Sequence, residues 1–450
     1  MRMFVLLFTA VLIFAVPAHA QEKFLNIQEV TSASGLKAWL VEDHSVPIIA
    51  LTFNFQGAGS AQDAIEKQGL AQLASNTMDE GAGDLESQAF QKQLRDLSIA
   101  LSFGASRDHF GGSLKTLSVN KDKAFELLTL ALTKPRFDEE SVERMKAANL
   151  SRIRESMTDP EWIAARLQND RAFEGHVYGQ NAGGSLSTIA ALAPPDLHQF
   201  AKTRLGKNNV KISVSGDITP AELAVIMDKV FASLPDVTLP TLPPIELQNK
   251  NKTFVYTKDI PQTIIRILQP GIDQKDDDYQ TMQIVNYILG GSGFGSRLMD
   301  EVREKRGLTY GIYTSFFLTD CFNGYVAETS TENKNVPEVL RLVKQEWADM
   351  VAAPPSGKEL KDAQTYLLGS LPLNLTSTMD IAQLMNSLQA EDLPINYLDT
   401  RAEKIKAVTP QDVQKVAQRI LNDQNFMTVL VGSPEAIENA TIVKDIPNVK

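Results

Sequence analysis

"IAALAPPDLHQFAKTRLGKNNVKISVSG", Ile189–Gly216, decides how this chain is built, because it comes twice. The stretch "IKAVTPQDVQKVAQRILNDQNFMTVLVG", Ile405–Gly432, aligns to it without gaps at a constant offset of 216, with eight of 28 positions identical and polarity kept at most others. In each copy Pro and Asp open an amphipathic helix, a polar turn comes next, and an apolar strand runs to a closing Gly. An offset close to half the chain length marks a duplication rather than a chance match. Two more pairs of segments keep the same cadence. "LKAWLVEDHSVPIIALTFNFQGAGS", Leu36–Ser60, and "KTFVYTKDIPQTIIRILQPGI", Lys252–Ile272, each read as strand, turn and strand. "FGGSLKTLSVNKDKAFELLTLAL", Phe110–Leu132, and "FNGYVAETSTENKNVPEVLRLVK", Phe322–Lys344, each read as strand, polar turn and helix. Strands and helices intermix in hairpin-like pairs rather than in strict βαβ alternation, which predicts an α+β fold. Two homologous half-domains are expected, each a mainly antiparallel sheet packed with helices. The Pro-rich "LPDVTLPTLPPIELQNKNK", Leu234–Lys252, reads as an extended hinge linker between halves at 21–233 and 253–450.

The first 20 residues stand apart. Arg2 gives a positive start, Met3–Val16 is an apolar run too short for a comfortable membrane span, and Ala18-His19-Ala20 is a small-x-small cleavage site. Residues 1–20 therefore read as a secretory signal peptide and the mature chain as exported, in the periplasm. The residue directly after the cleavage site is Gln21 rather than a Cys that could carry a lipid, and no later segment approaches transmembrane length. The formal net charge is −11, and removal of Arg2 takes the mature chain to −11 − 1 = −12. That balance opposes nucleic-acid binding, which wants a basic footprint. A lone Cys321 cannot form an intramolecular disulfide, so stability must come from packed cores. A 450-residue chain that is 43% hydrophobic is too long for a single core, in keeping with two units.

Chemistry-bearing residues concentrate in "LGGSGFGSRLMDEVREKRGLTYGIYTSFF", Leu289–Phe317. Gly290, Gly291, Gly293 and Gly295 lack the G-x-G-x-x-G spacing of a nucleotide loop and come after a helical pattern rather than a strand. They read instead as a flexible or closely approached loop. Ser296–Arg306 reads as a helix stopped by Gly307, and Leu308–Phe317 as a strand. On the residues alone, Arg303 is a solvated helix cation beside Glu301 and Glu304, and Tyr310 an aromatic in a strand core.

The segment "SRLMDEVREKRGLTYGIYTS", Ser296–Ser315, resembles the second-half pattern of the M16 zinc peptidases, the group of pitrilysin, insulinase and mitochondrial processing peptidase. The resemblance extends over nearly the whole mature length. It implies a clamshell of two α+β halves, and it implies that Arg303 and Tyr310 reach toward substrate at a zinc site built by the first half. That family's inverted zinc motif, H-x-x-E-H, places two His one turn apart on a helix with a Glu general base between them. In "QGLAQLASNTMDEGAG", Gln68–Gly83, the same register reads Gln72-Leu73-Ala74-Ser75-Asn76, so both imidazoles and the base are missing. The family's third ligand, a Glu some 76 residues after the second His, falls on Arg152, and its acidic neighbour one heptad earlier on Met145. A cation there opposes a divalent metal. His44, His109, His176 and His198 show no ligand spacing, and Ser75 has no recognisable His and acid partner for a nucleophilic triad. The expectation is a non-catalytic chain that holds no metal or other cofactor. It would supply Arg303 and Tyr310 to the active site of a homologous H-x-x-E-H partner, which carries the zinc, within a heterodimer acting on unfolded peptide. The alternative expectation is a pseudopeptidase that binds peptides or scaffolds an assembly without any part in catalysis.

Overall fold

The computed structural model describes residues 23–291 and 295–450; the signal-peptide reading and Gly293 lie outside the described residues. Two six-stranded sheets carry the fold. The first is built from β1 (Gln28–Thr31), β2 (Lys37–Glu42), β3 (Ile48–Phe55), β4 (Ala100–Ala105), β5 (Phe110–Leu117) and β6 (Val210–Gly216). The second uses β7 (Lys252–Thr257), β8 (Gln262–Pro270), β9 (Ile312–Leu318), β10 (Asn323–Glu332), β11 (Met427–Gly432) and β12 (Ala440–Val443). Spatial order is β1-β2-β6-β3-β5-β4 in the first and β12-β7-β11-β8-β10-β9 in the second. Five positions correspond one to one, each half pairing one strand in parallel (β2 with β6, β7 with β11) inside an otherwise mostly antiparallel ladder. Only the outer edge differs, closed by β1 antiparallel in one sheet and by β12 parallel in the other. The α+β class and the two homologous halves read from the sequence are the observed architecture.

Of the helices, those that shape the site and join the halves are α1 (Leu70–Thr77), α2 (Glu139–Ser156), α3 (Pro160–Ala172), α4 (Pro194–Arg204), α5 (Tyr279–Asn286), α6 (Thr378–Ala390) and α7 (Pro410–Ile420). The repeated stretches fold alike, with α4 and α7 starting and ending 216 residues apart. Each carries Pro in its first turn, where the missing N–H costs nothing, and an Asp that accepts from the N-cap backbone. The strands after them end at Gly216 and Gly432, with φ of +121° and +153°. A side chain at Gly216 would strike the Ile48 carbonyl, and one at Gly432 the Thr263 hydroxyl, each on the neighbouring strand.

The halves exchange a helix. α3, from the first half, lies on the second sheet, burying Ile163, Ala164 and Leu167 with Leu268, Met427, Val429 and Val431. Its counterpart α6 lies on the first sheet, where Met385 and Leu388 pack with Trp39 and Val41. Polar side chains fix the register of α6: Thr52 donates to the Ala382 carbonyl at 2.8 Å, and Gln389 to the Ile212 carbonyl at 2.8 Å. The chain between Phe231 and Lys252 forms no helix or strand and is tied to both halves, through Lys207 N to Pro235 O at 3.0 Å and Ile245 N to Cys321 O at 2.9 Å. Among the described residues no helix is long and apolar enough to cross a membrane.

Candidate functional site

The site is built around α1. Its inner face, Leu70, Ala71, Leu73 and Ala74, is buried in the core of the first half. Its N-terminus has no capping side chain of its own, and Gly69 enters it at φ +87°. Asp63 takes over that task from six residues upstream, accepting from Gly69 N at 3.1 Å and Ala71 N at 3.2 Å. Arg204 of α4 holds Asp63 in turn, with Nη1 2.8 Å from its other oxygen, and also donates to the carbonyls of Gly59 and Gln62. Burial pushes the Asp63 carboxyl up to about 6, while the Arg204 guanidinium pulls the other way. The result is a helix whose outward face is held firmly in place.

That face carries Gln72, Ser75 and Asn76, as the register required, and they bond to one another. Gln72 Nε2 donates to Asn76 Oδ1 at 3.0 Å and to Ser75 Oγ at 3.3 Å, and Ser75 Oγ donates to its own helix at the Gln72 carbonyl. Asn76 Nδ2 then donates across to Asn149 Oδ1 of α2 at 2.7 Å. Asn149, absent from the sequence reading, is therefore the α2 residue that faces the old second ligand. It lies four residues after Met145 and three before Arg152, on the same helical face, so testing each turn of that face would have found it. Counting along the chain misses it because loop lengths between helices vary. Met145 instead packs against the first-half core. Arg152 is exposed and does border the site, making no ion pair among the described residues. Gln72, Asn149, Arg152, Ile153, Ser156, Trp162 and the 181–183 turn line a cavity of about 270 Å³.

The donor set does not fit zinc. Carboxamides already bonded to one another and a guanidinium offer no imidazole or carboxylate to a divalent ion. Among the described residues no group of three or more His, Cys, Asp or Glu could hold a metal. The histidines are placed elsewhere: His44 sits between Asp217 and Glu42, both of which raise its pKa, and His109 lies 3.6 Å from Asp320. His176 accepts from Tyr178 N, and His198 meets the Phe137 ring edge-on.

In the second half, the Arg303 guanidinium lies over the Tyr310 ring, 5.1 Å from its centre, and Nε is 3.5 Å from Glu304. The pairing of Arg303 with a neighbouring Glu read from the residues is thus present. The strand-core reading of Tyr310 is corrected: it is 84% exposed. The strand starts only at Ile312, because Thr309 turns its hydroxyl to Ser330 O and receives Gly311 N, which holds 309–311 off the ladder. Met299–Glu304 is wound as a π-helix rather than an α-helix. Its closure is accordingly one residue wider than a Schellman turn, with Gly307 at φ +62° donating to Arg303 O and Leu308 to Val302 O.

The flexible-loop reading of the glycines fails for two of them. Gly290 and Gly291 stand in a π-helical turn, Tyr287–Gly291, that continues α5. Gly290 is buried, and a Cβ there would lie 2.7 Å from the Thr314 hydroxyl. It serves close packing of that turn on β9, which is the closely approached alternative of the sequence reading. Gly295 begins the short turn leading into the next helix.

Tyr310 lines a groove of about 280 Å³ with Glu161, Arg266, Tyr313 and Glu328. Glu161 borders that groove while its neighbour Trp162 walls the Gln72–Asn149 cavity. The exchanged helix α3, capped by Asp159, thus begins between the degenerate metal position and the Arg303–Tyr310 pair. Neither member of the pair lines the Gln72–Asn149 cavity.

Comparison with known proteins agrees with this layout. Residues 45–182 match the family model described as Insulinase (Peptidase family M16), and residues 191–367 the one described as Peptidase M16 inactive domain. A non-peptidase homolog, YmxG, of Helicobacter pylori is 27% identical over 94% of this chain and 98% of its own length. The mitochondrial-processing peptidase subunit beta of Lentinula edodes is 21% identical over 85% of each chain. Among solved structures, a peptidase M16 inactive domain from Pseudomonas fluorescens superposes with a TM-score of 0.83 at 29% identity, covering 94% of this chain and all of that one.

Proposed function

Because the chain belongs to the M16 peptidase family, as a non-catalytic member whose metal position carries carboxamides, we propose that it is the substrate-binding subunit of a two-chain peptidase. The partner is a homologous chain that keeps H-x-x-E-H and with it the zinc and all the metal chemistry. The pair works on unfolded peptide in the periplasm. The observation that carries this reading is the Arg303–Tyr310 pair. Stacking orients a guanidinium over an aromatic ring that is itself 84% exposed to solvent. In the complex Arg303 donates to a substrate carbonyl, and the Tyr310 hydroxyl adds a second donor beside it. Relatives named as mitochondrial-processing peptidase subunits support an assembly of more than one chain.

The test is reconstitution. The purified chain is mixed with the H-x-x-E-H homologue encoded in the same genome, and peptide hydrolysis by the pair is compared with that of the pair carrying Arg303→Ala and Tyr310→Phe. A fall in kcat/KM of at least about tenfold, with the complex still forming on a sizing column, is expected from the loss of two transition-state donors. Undiminished activity overturns the subunit role and leaves a scaffold. Stoichiometric zinc in this chain alone, with chelator-sensitive cleavage, overturns the reading altogether.

A further inference from the structure

The cavity left where a metal site would stand has the opposite electrostatic character. Its single charged wall is the Arg152 guanidinium, with no carboxylate among the lining residues and no ion pair for Arg152 among the described residues. The relay of carboxamides runs in one direction, from Gln72 to Asn76 to Asn149, so the side-chain oxygens of Asn76 and Asn149 are both used and a donor is left over at the end. That donor is Asn149 Nδ2, which has no partner among the described residues and is enclosed, Asn149 being only 3% exposed, so a ligand in the cavity meets it when the amide turns toward that space. A buried amide donor without an acceptor carries a standing desolvation penalty, so the site gains by receiving one. Trp162 supplies a flat apolar wall beside these donors.

We propose that this cavity binds a carboxylate of a peptide. One guanidinium with the single unengaged amide of Asn149 matches a singly charged, planar acceptor. About 270 Å³ holds one residue, with its side chain against Trp162. The carboxylate chemistry comes from the cavity alone; the peptide as its source rests on the family reading. The binding needs no partner chain, so it succeeds or fails separately from the two-subunit proposal.

Trp162 also supplies the readout, since the other two tryptophans, Trp39 and Trp347, are buried elsewhere at 7% and 2% exposure. The isolated full chain is titrated with tetra-alanine bearing a free C-terminus, with its C-terminal amide, and with an amidated Ala-Ala-Glu-Ala, using fluorescence and calorimetric heat. Binding of the free acid at least tenfold tighter than the plain amide assigns the C-terminal carboxylate. Preference for the Glu peptide assigns an acidic side chain instead. Arg152→Gln, at an exposed position, should keep the thermal midpoint and remove the preference, while Trp162→Phe should silence the fluorescence change and leave the heat. Equal affinity for all three peptides, no binding by any at millimolar concentration, or a preference unchanged in Arg152→Gln overturns the proposal.

Discussion

Removing Asp63 should loosen α1 without touching the residues on its outward face. In Asp63→Ala, Arg204 loses its carboxylate partner while buried, and Gly69 N and Ala71 N lose their only side-chain acceptor. Breaking a buried ion pair from one side costs about 3–5 kcal/mol. The lower end applies here, because Arg204 keeps the Gly59 and Gln62 carbonyls and its stacking over Phe200. About 3 kcal/mol of local stability, at about 1.4 kcal/mol per decade, corresponds to roughly 100-fold faster hydrogen exchange for the α1 amides. Exchange measured by mass spectrometry reads this directly, with peptides from the second sheet as internal reference. Arg204→Met makes the complementary test through pH. Burial already holds Asp63 at about 6, above the ordinary carboxyl value of 3.8. The folded state therefore binds more protons than the unfolded state between those values, and stability from this group is lost as pH rises through the folded pKa. Without Arg204 that pKa climbs further, so the variant should be penalised more at pH 8 than at pH 5. An exchange change below fivefold in Asp63→Ala, or a penalty for Arg204→Met that is the same at both pH values, refutes the fastening role.

Restoring the metal motif tests the register across the two helices. Gln72→His, Ser75→Glu and Asn76→His together with Asn149→Glu should bind zinc in a chelator-competition assay, whereas the same three changes with Arg152→Glu should bind at least tenfold more weakly, because Asn149 is the residue facing Asn76. Gly290→Ala should destabilise by about 1–3 kcal/mol in urea unfolding, since its Cβ meets the Thr314 side chain and backbone within 2.9 Å, while Gly104→Ala, with nothing within 4 Å, should be near neutral; equal effects would falsify the packed-turn assignment.

What the residues disclosed, and what they withheld, divides by the range of the interaction. The repeated helix–strand unit was legible because its boundaries are set locally: Pro in the first turn, an Asp accepting from the N-cap, and a strand-ending Gly whose φ another residue rarely adopts. The loss of imidazoles from α1 was legible because ligand spacing on one helix is fixed by its pitch. The exchange of α3 and α6 was not legible, since an apolar helix face declares that it is covered and not by which sheet. Asn149 was hidden because the distance between two helices is not written in the number of residues joining them. Tyr310 escaped because an alternating apolar run looks the same whether or not Thr309 pulls the backbone away from the strand.

The order of a site without metal ligands has its root in the same separation. α1 is held from behind, by core packing and by Asp63 and Arg204, so its outward face needs no metal to stay in place. Imidazoles and carboxylates gathered there without an ion would leave acceptors and charges with nothing to answer them. A carboxamide carries both a donor and an acceptor, so a row of them can satisfy itself, each nitrogen feeding the next oxygen from Gln72 to Asn149. Such a row must end, and this one ends on the buried amide of Asn149, a residue that lines the same cavity as the Arg152 guanidinium. The polarity is the opposite of what a cation needs, and the ligand this geometry favours is an anion.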